Sequence, residues 1–91
     1  MLTCEDFAPL VGTTFALVDA TGELVLIEAE ALPAGSGAPR APFSLIFEGP
    51  LQPMLEQQIH AFHHATLGAM ELFLVPLSRK GDAVRYQAIF A

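Results

Sequence analysis

Three histidines stand within five residues, His60, His63 and His64. On a helix they share a face at i, i+3 and i+4, and neutral imidazoles one turn apart can hold Zn²⁺ or Ni²⁺. On a strand His60 and His64 face one way with Phe62, His63 faces the other with Ile59 and Ala61, and the triplet is broken. No Cys pair and no HExxH glutamate accompanies them, so a structural role is the default. Cys4 with a distant His would resemble a nucleophile pair. A lone Cys without a sequence-adjacent base is nevertheless read as a packing residue under the sheet. The carboxylates Glu5, Asp6, Asp19, Glu23, Glu28, Glu30, Glu48, Glu56, Glu71 and Asp82 are scattered, with no pair placed across a cleft by a motif. No GxGxxG, GxxxxGK[ST] or GxSxG run occurs, and Gly35-Ser36-Gly37 precedes no helix that would complete a phosphate cradle. The expectation is a non-enzyme without catalytic residues, bound metal or cofactor.

The elements that would position such residues must come from a chain of 91 residues, read as one domain over 1–91. Hydrophobic residues are 53% and charged residues 15%, well under the ~25% charge of an average soluble chain, so a packed core is expected and disorder is excluded. The net charge is −6, and the four basic residues, Arg40, Arg79, Lys80 and Arg85, form no stripe able to track a phosphate backbone. That argues against nucleic acid and against anionic membrane surfaces. No apolar run approaches the ~18 residues of a membrane span, and the first residues lack a basic, then apolar, leader. With a single Cys, these features read as a soluble cytoplasmic chain.

Strand patterns dominate. Thr3 with Asp6 can cap a short N-terminal helix carrying Phe7, Leu10 and Val11, limited by Pro9. Residues 14–19 and 23–30 flank Ala20-Thr21-Gly22, a hairpin with Gly22 in the position that needs positive φ. Leu32 to Pro42 is small residues, Pro and Gly, hence a loop. Phe43 to Glu48 is a strand ended by Gly49-Pro50, and 70–76 with 84–90 form a second hairpin about the polar turn 78–82. Val84, Tyr86, Ala88 and Phe90 share one face of the last strand. Leu24 to Ile27 and Leu72 to Val75 are apolar at every position, the mark of strands covered on both faces. Residues 53–67 fit two patterns: a helix with Pro53 near its start, Leu55, Ile59, Phe62 and Thr66 on one stripe and Gly68 past its end, or a strand. The fold class is mainly β, a small antiparallel β-barrel or sandwich of about six strands with one short N-terminal helix.

Arg40 to Pro50, then Gln57, His64, Leu67-Gly68, Glu71 to Pro76 and Arg85 to Phe90 resemble a small uncharacterised bacterial domain family. Members of that family, a domain of unknown function, are often encoded beside phage-tail-collar or tail-fibre-like proteins. The resemblance spans roughly the whole chain and is strongest from residue 40 onward. Members tend to carry Gly, Tyr and Pro where this chain has Gln58, His60 and Ala65, so the resemblance implies a strand at 57–64, while the departures restore helical character. It supplies no catalytic residues.

A domain this small buries only part of so apolar a chain, and 15% charge is thin cover for the rest. The expected function is a non-enzymatic protein-interaction or assembly module, with the resemblance implying a chaperone-like partner of a tail-fibre or surface-appendage protein. The partner is another protein or a second copy, the latter giving a homo-oligomer. Phe43, Phe47, Phe73 and Tyr86 are the expected contact residues, and the Leu32 to Pro42 loop the expected gate or clamp. The alternative is a small-molecule or metal-binding β-barrel using the His60/His63/His64 region.

Overall fold

The computed structural model describes residues 2–18, 22–33, 41–51 and 54–90. Thr3 and Asp6 close the first turn as expected: the Asp6 carboxylate accepts from the Thr3 N–H at 2.8 Å and from its hydroxyl at 3.2 Å. Helix α1 (Cys4–Phe7) passes into a 3₁₀ turn at Ala8–Leu10, which has Pro9 at its start, where a missing N–H costs nothing. Six strands follow: β1 (Thr14–Leu17), β2 (Glu23–Ala31), β3 (Phe43–Pro50), β4 (Gln58–His64), β5 (Gly68–Lys80) and β6 (Ala83–Phe90). They close in the order β1-β2-β3-β6-β5-β4, with every neighbouring pair antiparallel, β1 with β4 included. Two three-stranded meanders, β1-β2-β3 and β4-β5-β6, thus meet edge to edge along both sides.

The mainly β class with one short N-terminal helix is as the sequence implied, and the closed ring favours the barrel over the sandwich. The ambiguous stretch resolves as strand β4 from residue 58, followed by the turn Ala65–Leu67. Gly68, expected past a helix end, does take φ +79°, but it closes the β4–β5 hairpin, where His64 pairs with Gly68. The ladder to β5 from Gln58↔Leu74 to His64↔Gly68 outweighs the local helical preference. Two further boundaries differ. The third strand continues through Gly49-Pro50, and β5 runs on through Pro76 to Lys80. The β5·β6 register slips between Pro76 and Ser78, and a bulge of this kind accommodates a proline inside a strand. The tip of the first hairpin at 19–21, most of the expected gate loop at 34–40, and Pro53 lie outside the described residues.

Six strands enclose less space than the eight that are just wide enough for side chains, so the interior is filled. Phe15, Phe47, Phe62, Leu24, Leu26, Leu45, Leu74, Val84 and Tyr86 are all at most 2% exposed. Phe7 of α1 plugs one end, its ring 5.8 Å from both Phe43 and Phe90 and 6.2 Å from Phe15. At the other end the stretch before β4 is pinned by Tyr86, whose hydroxyl accepts the Leu55 N–H at 2.9 Å. The β3·β6 seam carries eight residue pairs, Phe43↔Phe90 to Pro50↔Ala83, and Gly49 within it is buried, where a Cβ would run into Leu24 Cδ2.

Candidate functional site

Period-two alternation decides which aromatic residues reach the outside. Phe43, Phe47 and Tyr86, expected as contact residues, point inward and are at most 1% exposed. They form the core, which corrects that expectation: β3 and β6 turn their odd and even sets, respectively, into the barrel. Phe73 alone of the four faces out, at 50% exposure, between Leu72 and Leu74, which face in.

Phe73 does not stand alone. Its directly paired neighbour on β4 is Ile59, 62% exposed, and side chains so paired have Cβ atoms about 5 Å apart on the same face. Ile89 on β6, 58% exposed, lies two residues beyond Gln87, the partner of Val75, and so keeps step with Phe73 on the outer wall. Half-buried Val75 and Ile46 border this row. On the same wall Gln87 donates to Ser44 Oγ at 2.9 Å, and Glu48 Oε2 lies 3.5 Å from Arg85 Nε across the β3·β6 seam. Of the outward residues in the all-apolar runs Leu24 to Ile27 and Leu72 to Val75, Val25, Ile27 and Val75 are half-buried and Phe73 is exposed; the described residues place no helix over Phe73.

The histidines separate as a strand requires. His63 is exposed on the outer wall, whereas His64 is 4% exposed inside, beside Phe15 with ring centroids 4.4 Å apart. His64 Nδ1 accepts from the Thr66 N–H at 2.9 Å. Its Nε2 therefore carries the proton in the neutral ring and donates to Thr13 Oγ1 at 2.9 Å, and that hydroxyl donates to the Leu10 carbonyl at 2.6 Å. Both ring nitrogens are used. His60 Nε2 lies 2.8 Å from the Glu56 carbonyl. Among the described residues no three His, Cys, Asp or Glu side chains are grouped to hold a metal, which corrects the shared face that a helix would have made. Cys4 is half-buried beside a pocket of about 180 Å³ lined by Leu2, Ala31 and Pro42 with no histidine. No helix among the described residues is long and apolar enough to cross a membrane.

A family model described as "Domain of unknown function (DUF6916)" matches residues 2–90. The chain belongs to that family. No curated protein and no solved structure shows a match to it. The match supports the reading of roughly the whole chain as a domain of unknown function.

The row Ile59, Phe73, Ile89 was only partly visible beforehand. Phe73 sits in a run without alternation, so its direction could not be read from its neighbours, and Ile59 lies in the stretch whose period was ambiguous. Ile89 had a signal: it falls between Ala88 and Phe90 on the strand that alternates cleanly.

Proposed function

We propose that this domain is a non-enzymatic protein-interaction module that binds its partner through the outer wall of β4, β5 and β6. The observation that carries the reading is the pairing of Ile59 with Phe73, two large apolar side chains more than half or half exposed side by side. Burying each against a partner is worth roughly 1.5–3 kcal/mol, and an aromatic at the centre of such a row is the usual energetic anchor. A filled barrel favours surface recognition over ligand enclosure.

The concrete form is an accessory or chaperone-like partner of a tail-fibre or surface-appendage protein. Its support is the genomic neighbourhood implied by the family resemblance together with the apolar wall. The test is capture from source-cell lysate with wild type and Phe73→Asp, followed by binding of the recovered protein in purified form. A tail-fibre or appendage protein bound by wild type and lost with Phe73→Asp, at unchanged melting temperature, is the expected result. Equal binding by both proteins removes the wall from the interface.

A further inference from the structure

The strand registers also show what borders the apolar wall. One outward row runs from Glu30 on β2 through Ser44 on β3 to Ile89 on β6, and Phe73, in step with Ile89, carries it to its pair Ile59 on β4. The row beside it runs Glu28, Ile46, Gln87, Val75. Glu71 stands two residues before Phe73 on the same face of β5. Three carboxylates therefore frame the wall, Glu28 and Glu30 beyond its β3 side and Glu71 at one end, all exposed and in no ion pair among the described residues. The described cations do not offset them. Arg85 is matched with Glu48 at 3.5 Å, and Arg79 and Lys80 lie at the far end of β5, about 13 Å or more beyond Val75. His63 points out from β4, about 13 Å along the strand from Ile59.

An apolar centre in an acidic frame is complementary to a surface that is apolar in the middle and basic at its flanks. A second copy does not supply that, since two walls set face to face would bring Glu28, Glu30 and Glu71 of each together. An anionic membrane is repelled for the same reason. The form of the partner follows from where the apolar residues stand. Ile46, Ile89, Phe73 and Ile59 lie across the faces of four neighbouring strands. Strand addition lengthens a sheet along one edge and would leave Phe73 and Ile89 bare. A segment laid over the face meets side chains and gains no main-chain bonds there, which favours a helix, because a helix satisfies its own backbone. The sizes agree: β4 to β6 spans two strand spacings, about 9.6 Å, and a helix is about 10 Å across.

We propose, on the reading of this wall as the interface, that what it receives is an amphipathic helix of the partner protein. Its apolar stripe covers Ile89, Phe73 and Ile59, and Lys or Arg beside the stripe faces Glu28, Glu30 and Glu71.

The test uses three synthetic peptides of about 18 residues, five helical turns. The first has Leu on a helical stripe with Lys beside it, the second has Glu in place of Lys, and the third has the Leu and Lys of the first alternating at strand period. Binding to the intact domain is read by calorimetry and circular dichroism, with native mass of the domain alone. The Lys helix should bind wild type with a gain of helix signal, at least about tenfold more tightly than either other peptide does and than it binds Phe73→Asp. High salt should weaken it. E30K/E71K, at unchanged melting temperature, should reverse the preference toward the Glu helix, which a merely sticky apolar patch would not do. An alternating peptide bound as tightly as the Lys helix, and lost with Phe73→Asp, overturns the helix while the wall stands. Absence of binding by any of the three to wild type overturns the helix as well. Equal binding of the Lys helix to wild type and Phe73→Asp overturns helix and wall together. A wild-type dimer that Phe73→Asp dissolves overturns the proposal by placing a second copy on the wall.

Discussion

The hydroxyl of Tyr86, a residue fully buried inside β6, accepts the backbone N–H of Leu55 at 2.9 Å and so ties the irregular stretch before β4 to the far wall of the barrel. The tyrosine is large because it must cross the interior, and polar at its tip because the chain it meets there has no strand partner to satisfy its amide.

Tyr86→Phe removes the acceptor and keeps the ring. Leaving the half-buried Leu55 amide unsatisfied should cost about 1 kcal/mol, seen as a lower melting temperature and as faster hydrogen exchange at Leu55. Unchanged protection of that amide would show that the contact does not hold the segment.

Replacing Phe73 and replacing Phe47 should have opposite consequences. Phe73→Asp changes an exposed outer position, so stability should stay within about 0.5 kcal/mol while partner capture is lost. Phe47→Ala empties a site that is 0% exposed and should cost about 3–5 kcal/mol. Urea unfolding of both variants checks this; a large destabilisation by Phe73→Asp would make that residue part of the core.

His64→Ala deletes the ring against Phe15, the donor to Thr13 Oγ1 and the acceptor of the Thr66 amide, while the Thr13 hydroxyl keeps its bond to the Leu10 carbonyl. The expected loss is about 3 kcal/mol. In the wild type, ¹⁵N NMR of the imidazole should find the neutral ring protonated at Nε2 with Nδ1 bare. The opposite tautomer would contradict the hydrogen bond from Thr66.

Gly49→Ala tests how closely β2 and β3 pack. The new methyl meets the Leu24 side chain in a filled interior, and overpacking of this kind costs about 1–3 kcal/mol. A Leu24→Ala background should recover part of that loss, because the clash is with that side chain; additive effects would argue against direct contact.

Much of the barrel could be read from the chain itself. The last strand announces its faces through Val84, Tyr86 and Ala88, and Thr3 with Asp6 announces the helix start, because both patterns are local. The direction of the aromatic residues was harder. Phe43 and Phe47 alternate with Ser44, Ile46 and Glu48, a pattern that fits an inward set equally well as an outward one until the closing partner strand is known. The histidines depended on period, and here the decision was not local at all: β4 is a strand because β5 and β1 offer it hydrogen bonds on both edges. The continuous apolar run through Phe73 mixed core and surface residues that only the register of β4 against β5 could separate.

The ring of strands closes unevenly. Eight paired residues join the two meanders along β3·β6, but β1 holds β4 through Ala16↔His63 and Leu17↔Phe62, with one further bond from the Val18 N–H to the Ala61 carbonyl at 3.0 Å. This short seam is the natural fault line of the molecule. The Val18 amide, which donates across it, should exchange with solvent well before those of β3, and an opening there would unroll the barrel into one sheet still joined along β3·β6, baring the edges of β1 and β4 together.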